Sequence, residues 1–292
     1  MLRTRLAGRG PALIVDFHTH ILPPSFRERR ATIAGRDATF GALFPDDKPR
    51  MATAEELVAA MDEDGIDVSV AMGYGWCDPE VARESNDYLL ESAARFPGRI
   101  VPFCAVHPRW GKQAIREIER CLESGAAGIG ELHPTSQRIA LASDRPLAEL
   151  MALAVEKRVP VVVHGSEPVG HAYPGKGTTG PSALLAFAKR FPEASIVCAH
   201  WGGGLAFYAF MPEVRAALAN TYFDSAASPL LYESGVFASV ASAAGTEHML
   251  FGSDFPLLRP KRVAEQVRQG LAPEAAAEVL GGNAARLLGL TP

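Results

Sequence analysis

Two histidines separated by one residue, His18 and His20, are the side chains in this sequence best suited to chemistry. They lie in the stretch 16–20 (DFHTH), directly after the apolar run 12–15 (ALIV), which is typical of a buried strand. Because residues two apart on a strand point to the same side, both imidazoles project together. Such a pair provides half of a metal site. Two surface histidines in a turn would have the same spacing, so the rest of the chain must decide.

The elements that must position these side chains alternate regularly along the chain. After the first strand, the predicted strands are 68–72, 100–106, 127–132, 159–163, 195–199, 221–225 and 249–252. The predicted helices begin at Thr53 and continue with 79–96, 112–124, 146–157, 181–190, 205–218, 231–243, 261–280 and 283–288. Such alternation implies parallel strands with right-handed crossovers. An open doubly wound sheet would more often carry a glycine fingerprint after its first strand. We therefore predict an α/β fold, a single-domain (β/α)8 TIM barrel spanning residues 1–292.

Composition narrows the class of protein. Charged residues make up 21% of the chain and the formal net charge is −4, so there is no basic footprint for nucleic acid. No run approaches the roughly 20 apolar residues of a membrane span. Residues 1–5 are not followed by an apolar core of signal-peptide length, and the four cysteines form no zinc or redox motif. We expect a cytoplasmic protein that acts on a small molecule, without nucleic-acid or membrane partners.

In a barrel of this kind the carboxyl ends of the strands meet at one mouth. Seven of the eight predicted strand ends carry a His, Glu or Asp, namely His18, His20, His107, Glu131, His133, His164, His200, Asp224 and Asp254. Six of the eight histidines in the chain are in this set, which is more than scattered surface histidines would give. The set therefore predicts a metal site at the mouth. His248, at the opposite end of its strand, is expected to be structural.

Short motifs in a fixed order add to this interpretation. They are 16–20 (DFHTH), 163–164 (VH), 199–203 (AHWGG), 251–256 (FGSDFP) and 282–288 (GNAARLL). Together they resemble the amidohydrolase superfamily, and within it the amidohydrolase 2 branch that includes proteins similar to aminocarboxymuconate-semialdehyde decarboxylase. The resemblance implies a divalent metal held by His18, His20, His164 and Asp254. It also implies that Asp254 accepts a proton from metal-bound water and that His200 binds a second metal or contacts substrate. Members of this branch are often dimers, so a homodimer is one expectation, with the oligomeric state left open.

The donor types agree with that implication on chemical grounds. Imidazoles with a carboxylate suit Zn²⁺, our first expectation, with Mn²⁺ and Fe²⁺ as alternatives. A bound metal lowers the pKa of its water from about 15.7 toward about 7. A carboxylate beside that water, here Asp254, would act as the base. Asp254 could instead cap the turn that begins at Leu257.

Glu131 leaves the number of ions open at one or two. Many binuclear members of the superfamily carry a carbamylated lysine at the end of strand 4, whereas TatD-type nucleases use a glutamate there. Glu131 could therefore bridge two ions, with His164 and His200 on the second ion. It could instead orient a ligand histidine, or form a plain buried ion pair.

The remaining candidates are expected to contact substrate, although His133 and His107 could equally be packed core residues or metal ligands. They are His107 and Arg109 after strand 3, His133 after strand 4, and His171, Tyr173 and Lys176 in the loop after strand 5. This loop, 165–180, is expected to lie over the active site. Its near match to a phosphate-binding loop lacks the hydroxyl after the lysine, so we do not expect nucleotide binding. The long segment 21–51 after strand 1 is expected to be irregular and to act as a lid.

These features predict a metal-dependent hydrolase that attacks a carbonyl of a small amide, lactone or ester with metal-bound hydroxide. The alternative is a non-oxidative decarboxylase or hydratase of a small unsaturated or aromatic carboxylic acid, because the resembled branch includes such lyases. A bridged pair of ions would favour hydrolysis, and a single ion would favour the lyase. The intact set of His18, His20, His164 and Asp254 argues against a barrel that serves only as a scaffold.

Overall fold

Eight parallel strands form the centre of the protein, for which a computed structural model describes residues 13–290. The strands are β1 (Val15–His20), β2 (Val68–Met72), β3 (Ile100–Cys104), β4 (Gly128–Leu132), β5 (Val161–Val163), β6 (Ile196–Cys198), β7 (Thr221–Asp224) and β8 (Met249–Leu250). Each strand pairs with the next in chain order. The amides of Phe17 and His20 donate to the carbonyls of Phe251 and Phe255, which joins the first strand to the last. The predicted (β/α)8 barrel is confirmed.

Helices surround this barrel. They are α1 (Pro24–Glu28), α2 (Arg30–Arg36), α3 (Ala38–Leu43), α4 (Ala54–Asp64), α5 (Pro79–Arg95), α6 (Lys112–Glu123), α7 (Arg145–Lys157), α8 (Pro181–Arg190), α9 (Pro212–Ala217), α10 (Ser228–Leu231), α11 (Val236–Ala244), α12 (Pro260–Gly270), α13 (Pro273–Ala277) and α14 (Asn283–Leu288). Within residues 13–290, none of them is long and apolar enough to cross a membrane. Residues 1–5 and Ala12, on which two predictions rest, lie outside the described range.

The strands are formed from apolar residues because both of their faces are covered. Side chains such as Val15, Phe17, Val70 and Val162 fill the barrel interior and are fully buried. The opposite faces of the strands pack under the helices in a second apolar layer. Burial on both sides explains the continuous apolar runs and fixes where each strand ends.

The segment 21–51 is largely helical, so the expectation of an irregular chain was wrong. It contains α1, α2 and α3, and the side chain of Asp37 caps α3 by accepting from the amide of Phe40. Phe26, Phe40 and Phe44 of this segment pack with Trp76, which follows β2. A separate aromatic core therefore holds these helices beside the mouth.

Three predicted helices are shorter or broken in the structure. The region predicted as 205–218 is a tight turn structure over His200–Phe210 followed by α9. Its backbone takes positive φ angles from Trp201 to Gly204, which an α-helix does not allow. The region 231–243 is helical only from Val236, in α11, because α10 already ends at Leu231, and 261–280 divides into α12, α13 and a single wide turn, Glu278–Gly282. Proline at the first turn of α9 and of α13 marks these breaks.

Candidate metal centre

Five potential ligand side chains meet at the mouth of the barrel. His18 and His20 come from β1, Glu131 comes from β4, His200 lies two residues after β6 and Asp254 lies in the segment after β8. Two groups of three side chains could each hold a metal ion, because the potential ligand atoms within each group all lie within 4.8 Å of one another. One group is His18, His20 and Asp254, and the other is His18, Glu131 and His200. The two groups share His18, so they form one compact cluster.

The tautomers of the first two histidines follow from their hydrogen bonds. His18 Nδ1 lies 2.8 Å from Asp224 Oδ2, and His20 Nδ1 lies 3.1 Å from the carbonyl oxygen of Met72. Because a carboxylate and a carbonyl only accept, both Nδ1 atoms must donate. In the neutral rings the Nε2 atoms then carry lone pairs, and they lie 3.0 Å from each other. Two facing lone pairs at this distance require a proton or a cation between them.

His200 is oriented in the same manner. Its Nδ1 donates to the carbonyl of Ala226 at 3.0 Å, which leaves Nε2 as the free ring atom, 3.9 Å from Glu131 Oε1. Its backbone amide donates to Asp224 Oδ1 at 3.0 Å. One carboxylate, that of Asp224, thus positions both His18 and His200.

Two candidate residues have strained backbones. His200 has φ 56° and Asp254 has φ 65°, in the left-handed region that non-glycine residues rarely occupy. Each such residue costs of order 1–3 kcal/mol and persists only where its surroundings hold it. Strain at these two positions, and not along the strands, is typical of a functional site.

The predicted ligand His164 is adjacent to the cluster but belongs to neither metal-capable group. Its Nδ1 lies 2.9 Å from Glu131 Oε1, so it donates to that carboxylate. Its Nε2 lies 3.1 Å from the hydroxyl of Ser166, which also accepts from the amide of Gly177. In this arrangement His164 orients Glu131, and its role as a ligand stays a prediction.

The buried carboxylates of the cluster are stabilised by positive charge nearby. Burial acts to raise the pKa of Asp254, but a hydrogen bond from His20 and the charges of His18 and His200 lower it to about 2. Burial acts to lower the pKa of His18, but the charge and hydrogen bond of Asp224, with Glu131 and Asp254 nearby, raise it to about 10. These buried carboxylates therefore hold a proton on the imidazole of His18. A bound cation would supply the same charge.

The donor set fits one divalent ion by type and by spacing. Around an ion with bonds of about 2.1 Å, neighbouring ligand atoms lie roughly 3–4 Å apart. His18 and His20 Nε2 lie 3.9 and 3.4 Å from Asp254 Oδ1. His20 Nε2 lies 3.9 Å from Glu131 Oε2. The two imidazoles and the Asp254 carboxylate form one metal-capable group that would hold Zn²⁺, Mn²⁺ or Fe²⁺, with Glu131 next to it.

Several supporting residues were not assigned from the sequence. Tyr74, two residues beyond β2, stacks on His20 with ring centroids 4.0 Å apart. Burial, followed by the charges of Asp254 and Glu131, raises the pKa of its hydroxyl. Strand 2 was the one predicted strand without a candidate residue at its end. The position of Tyr74 just beyond that strand could therefore have marked it as a site residue. Asp16 is a second case, because it accepts from the Ser253 hydroxyl at 2.6 Å and braces the Asp254 segment.

The predicted substrate-contact residues lie in two different settings. His133 stacks on His164 at 4.3 Å between ring centroids, donates from Nε2 to the carbonyl of Gly175 at 3.0 Å, and is nearly buried. Burial, with the charge of His164, lowers its pKa to about 4. His107 accepts from the amide of Arg109, and Arg109 forms an ion pair with Asp144 at 2.9 Å on the exposed rim. These last two are not brought into the cluster.

The loop 165–180 borders the cluster through its first residues. Gly203 contacts it so closely that a Cβ would lie 2.3 Å from the carbonyl oxygen of Ser166. Tyr173 is half-buried and donates to Glu167 at 3.2 Å. His171 is exposed, and Lys176 Nζ donates to carbonyl oxygens of its own loop at 2.8 and 2.9 Å. Their contacts with substrate stay predictions.

The sequence matches the model of one known protein family. Residues 15–290 match the family described as Amidohydrolase (Amidohydro_2). The chain therefore belongs to the amidohydrolase family, and the resemblance inferred from the motifs is confirmed. None of the curated proteins matches this sequence.

Solved structures of the same fold include several decarboxylases. The chain is similar to 5-carboxyvanillate decarboxylase from Sphingomonas paucimobilis, with a TM-score of 0.78, 16% identity and coverage of 96% of this chain and 100% of that one. It is similar to 2,6-dihydroxybenzoate decarboxylase from Rhizobium, with a TM-score of 0.72, 16% identity and coverage of 96% and 99%. It is also similar to 5-carboxyvanillate decarboxylase from Novosphingobium aromaticivorans, with a TM-score of 0.78, 16% identity and coverage of 96% of this chain and 96% of that one. That structure contains manganese and 4-hydroxy-3-methoxy-5-nitrobenzoic acid.

Proposed function

We propose that this protein is a metal-dependent carboxy-lyase that removes CO₂ from a small aromatic or unsaturated carboxylic acid without an oxidant. The observation that carries the proposal is the single compact cluster, in which both metal-capable groups share His18. A single metal ion would favour a lyase, whereas a bridged pair of ions would favour a hydrolase. The activities named for the solved relatives support the same choice, against our first expectation of a hydrolase.

The metal ion would be held by His18, His20, Asp254 and Glu131. When bound, a divalent ion supplies a Lewis acid that polarises oxygen atoms of the substrate. We use Mn²⁺ as the first test ion because a solved relative contains it, with Zn²⁺ beside it. Small-molecule binding and the expected homodimer are part of the proposal.

The chemical step needs a proton at the carbon that carries the carboxylate. We assign that proton to His200, which would deliver it from Nε2 of its imidazolium form and return to the neutral ring, while Nδ1 stays bonded to the carbonyl of Ala226 and Asp254 serves as a metal ligand. The carbon–hydrogen bond forms with a ring electron pair, the carbon–carbon bond then breaks, and its electron pair returns to the ring as CO₂ leaves. No electron is gained or lost overall. The Tyr74 hydroxyl, close to Asp254 and Glu131, is assigned to hold a substrate oxygen by a hydrogen bond.

The test is CO₂ release by Mn²⁺-loaded protein from a panel of hydroxylated benzoic acids, with Asp254→Asn as the site variant. We expect release by the parent protein and a loss of about 10²–10⁴-fold in the variant, the range for an essential proton-handling or ligand group. A parallel panel of esters, lactones and amides tests the alternative. Products from that panel without any CO₂ would refute the lyase.

Hydrolysis remains the second candidate because Glu131 also lies near His200 in the second metal-capable group. Metal content separates the two candidates. We expect about one equivalent per chain, which fits one ion in the shared cluster. About two equivalents, falling to one in Glu131→Ala, would make Glu131 a bridge and would favour the hydrolase.

A further inference from the structure

A second group of polar side chains borders the mouth beyond the metal cluster. Glu167, in the loop after β5, accepts from two phenol hydroxyls, Tyr173 at Oε2 and Tyr232 at Oε1, each at 3.2 Å. Tyr232 follows α10, in the connection after β7, so the group joins two loops of the mouth. All three side chains are half-buried, and solvent reaches them. We name Glu167, Tyr173 and Tyr232 the rim triad.

The rim triad is linked to the metal cluster on both sides. Ser166 precedes Glu167, and its hydroxyl lies 3.1 Å from His164 Nε2. Gly204 lies four residues after His200, and a Cβ built there would lie 3.8 Å from the Tyr232 hydroxyl. Asp254 is among the groups whose charge acts on the Tyr173 hydroxyl. The rim triad therefore lies on loops that adjoin His164 and His200.

The acidic side chain of the rim triad has phenols as its partners. In the described part of the chain, the partners of the Glu167 carboxylate are the two tyrosines, and no Lys or Arg pairs with it. Lys176 lies over the Tyr173 ring at 5.4 Å, but its ammonium group donates to the carbonyls of Val169 and His171. Each carboxylate oxygen accepts one phenol and has capacity for a further donor.

We propose that the rim triad recognises a hydrogen-bond donor, a hydroxyl or amino group, at the end of the substrate remote from the metal cluster, and disfavours a second carboxylate there. A donor would complete the acceptor capacity of Glu167, whereas an anion would meet a like charge in a partly desolvated site. A site built for a hydroxyl also discriminates against an analogue that lacks it. The inference rests on the proposed function in one respect, the use of an aromatic acid as substrate.

The test is calorimetric binding of fixed probes to the Mn²⁺-loaded full chain. The probes are benzoate, 3- and 4-hydroxybenzoate, isophthalate and terephthalate. We expect the better hydroxybenzoate to bind about tenfold tighter than benzoate, and the dicarboxylates to bind no tighter than benzoate. In Glu167→Gln the hydroxyl preference should fall to about threefold or less, and the better dicarboxylate should bind about fivefold tighter than it does to the parent.

Matched variants separate recognition from folding. Tyr232→Phe keeps the ring and should reduce the hydroxyl preference in part. Glu193→Gln, at an exposed glutamate, should change neither preference. Metal content and the unfolding temperature of each variant check that it is folded. Equal affinity of the parent for benzoate and both hydroxybenzoates, an unchanged preference in both rim variants, or no binding of any probe would overturn the proposal.

Binding needs no turnover, so the two proposals fail separately. If the predicted preference appears without CO₂ release, the rim triad stands and the carboxy-lyase does not. If CO₂ is released from benzoates without the preference, the reaction stands and the rim triad does not.

Discussion

The Nε2 atoms of His18 and His20 lie 3.0 Å apart, and both rings already donate through Nδ1. Neutral histidines would therefore direct two lone pairs at each other. A proton can bridge them, but a divalent ion satisfies both and also offsets the charge of Asp254 and Glu131. The fold of β1 thus brings the two side chains together in a geometry that a cation stabilises.

The first prediction concerns metal removal. Treatment with a chelator should lower the unfolding temperature, and Mn²⁺ should restore it, because an ion that binds only the folded chain stabilises it by about 2.7 kcal/mol at 100 times its Kd. For a chain of this size that corresponds to roughly 4–5 °C. The measurement is a thermal melt with and without the ion. His18→Ala should lose the difference, whereas the exposed control His171→Ala should keep it.

The second prediction concerns Asp224→Asn. Oδ1 of Asp224 accepts from the backbone amides of His200 and Ala226, each at 3.0 Å. The amide oxygen of the variant would take that position, so its NH₂ group would face His18 Nδ1 and force the ring proton to Nε2. We expect metal affinity to fall about 10–100-fold, as when a partner that orients a ligand is lost.

The check is a competitive titration with a metal-binding dye. Asp144→Asn, which removes a carboxylate paired with Arg109 on the rim, serves as the matched control. Unchanged affinity in Asp224→Asn would mean that this carboxylate does not set the tautomer of His18.

Much of this arrangement could be predicted from the sequence because the barrel links strand order to side-chain position. Alternating strand and helix patterns gave the strand ends, and His18, His20, Glu131, His200 and Asp254 indeed meet at the mouth. That convergence depends only on the period of a strand and on parallel pairing, which are local and regular.

What could not be predicted depends on contacts between distant segments. The helices in 21–51 are stabilised because Phe26, Phe40 and Phe44 pack in one apolar cluster with Trp76. No short-range periodicity in the sequence indicates that Trp76 is their packing partner. The His164 ring likewise has partners, Glu131 and Ser166, that depend on how two strand ends and a loop pack together.

The third prediction concerns Tyr74→Phe. The variant keeps the ring that stacks on His20 but removes a hydroxyl that lies near Asp254 and Glu131. If this hydroxyl holds substrate in the proposed reaction, kcat/KM should fall about 10–100-fold, the cost of losing one hydrogen bond to a charged group. Metal content and the unfolding temperature should not change. Tyr208→Phe, at a tyrosine 52% exposed, should leave kcat/KM at the parent value. A loss of metal in Tyr74→Phe would instead indicate a structural role.

The last prediction concerns the pH dependence of stability through Glu117 on α6. Its carboxylate accepts from Asn86 at 3.0 Å and from Arg120 at 2.6 and 2.9 Å. Burial acts to raise the pKa of Glu117, but the hydrogen bonds of Arg120 and Asn86 and the charge of Arg120 lower it below the ordinary value of 4.5. The ionised form therefore favours the folded chain. This contribution is complete above the ordinary pKa and is lost as the pH falls through the pKa of the folded state.

Glu117→Gln should accordingly destabilise the protein by about 2 kcal/mol at neutral pH, because a charged acceptor is lost from a half-buried network. The difference between parent and variant should shrink as the pH falls below about 4.5, where the parent carboxylate also becomes protonated. Urea unfolding at a series of pH values measures it. Glu123→Gln, at an exposed position on the same helix, should show no such pH-dependent gap. A gap for Glu117→Gln that stays constant down to the acid transition would mean that the role of Glu117 is packing and not charge.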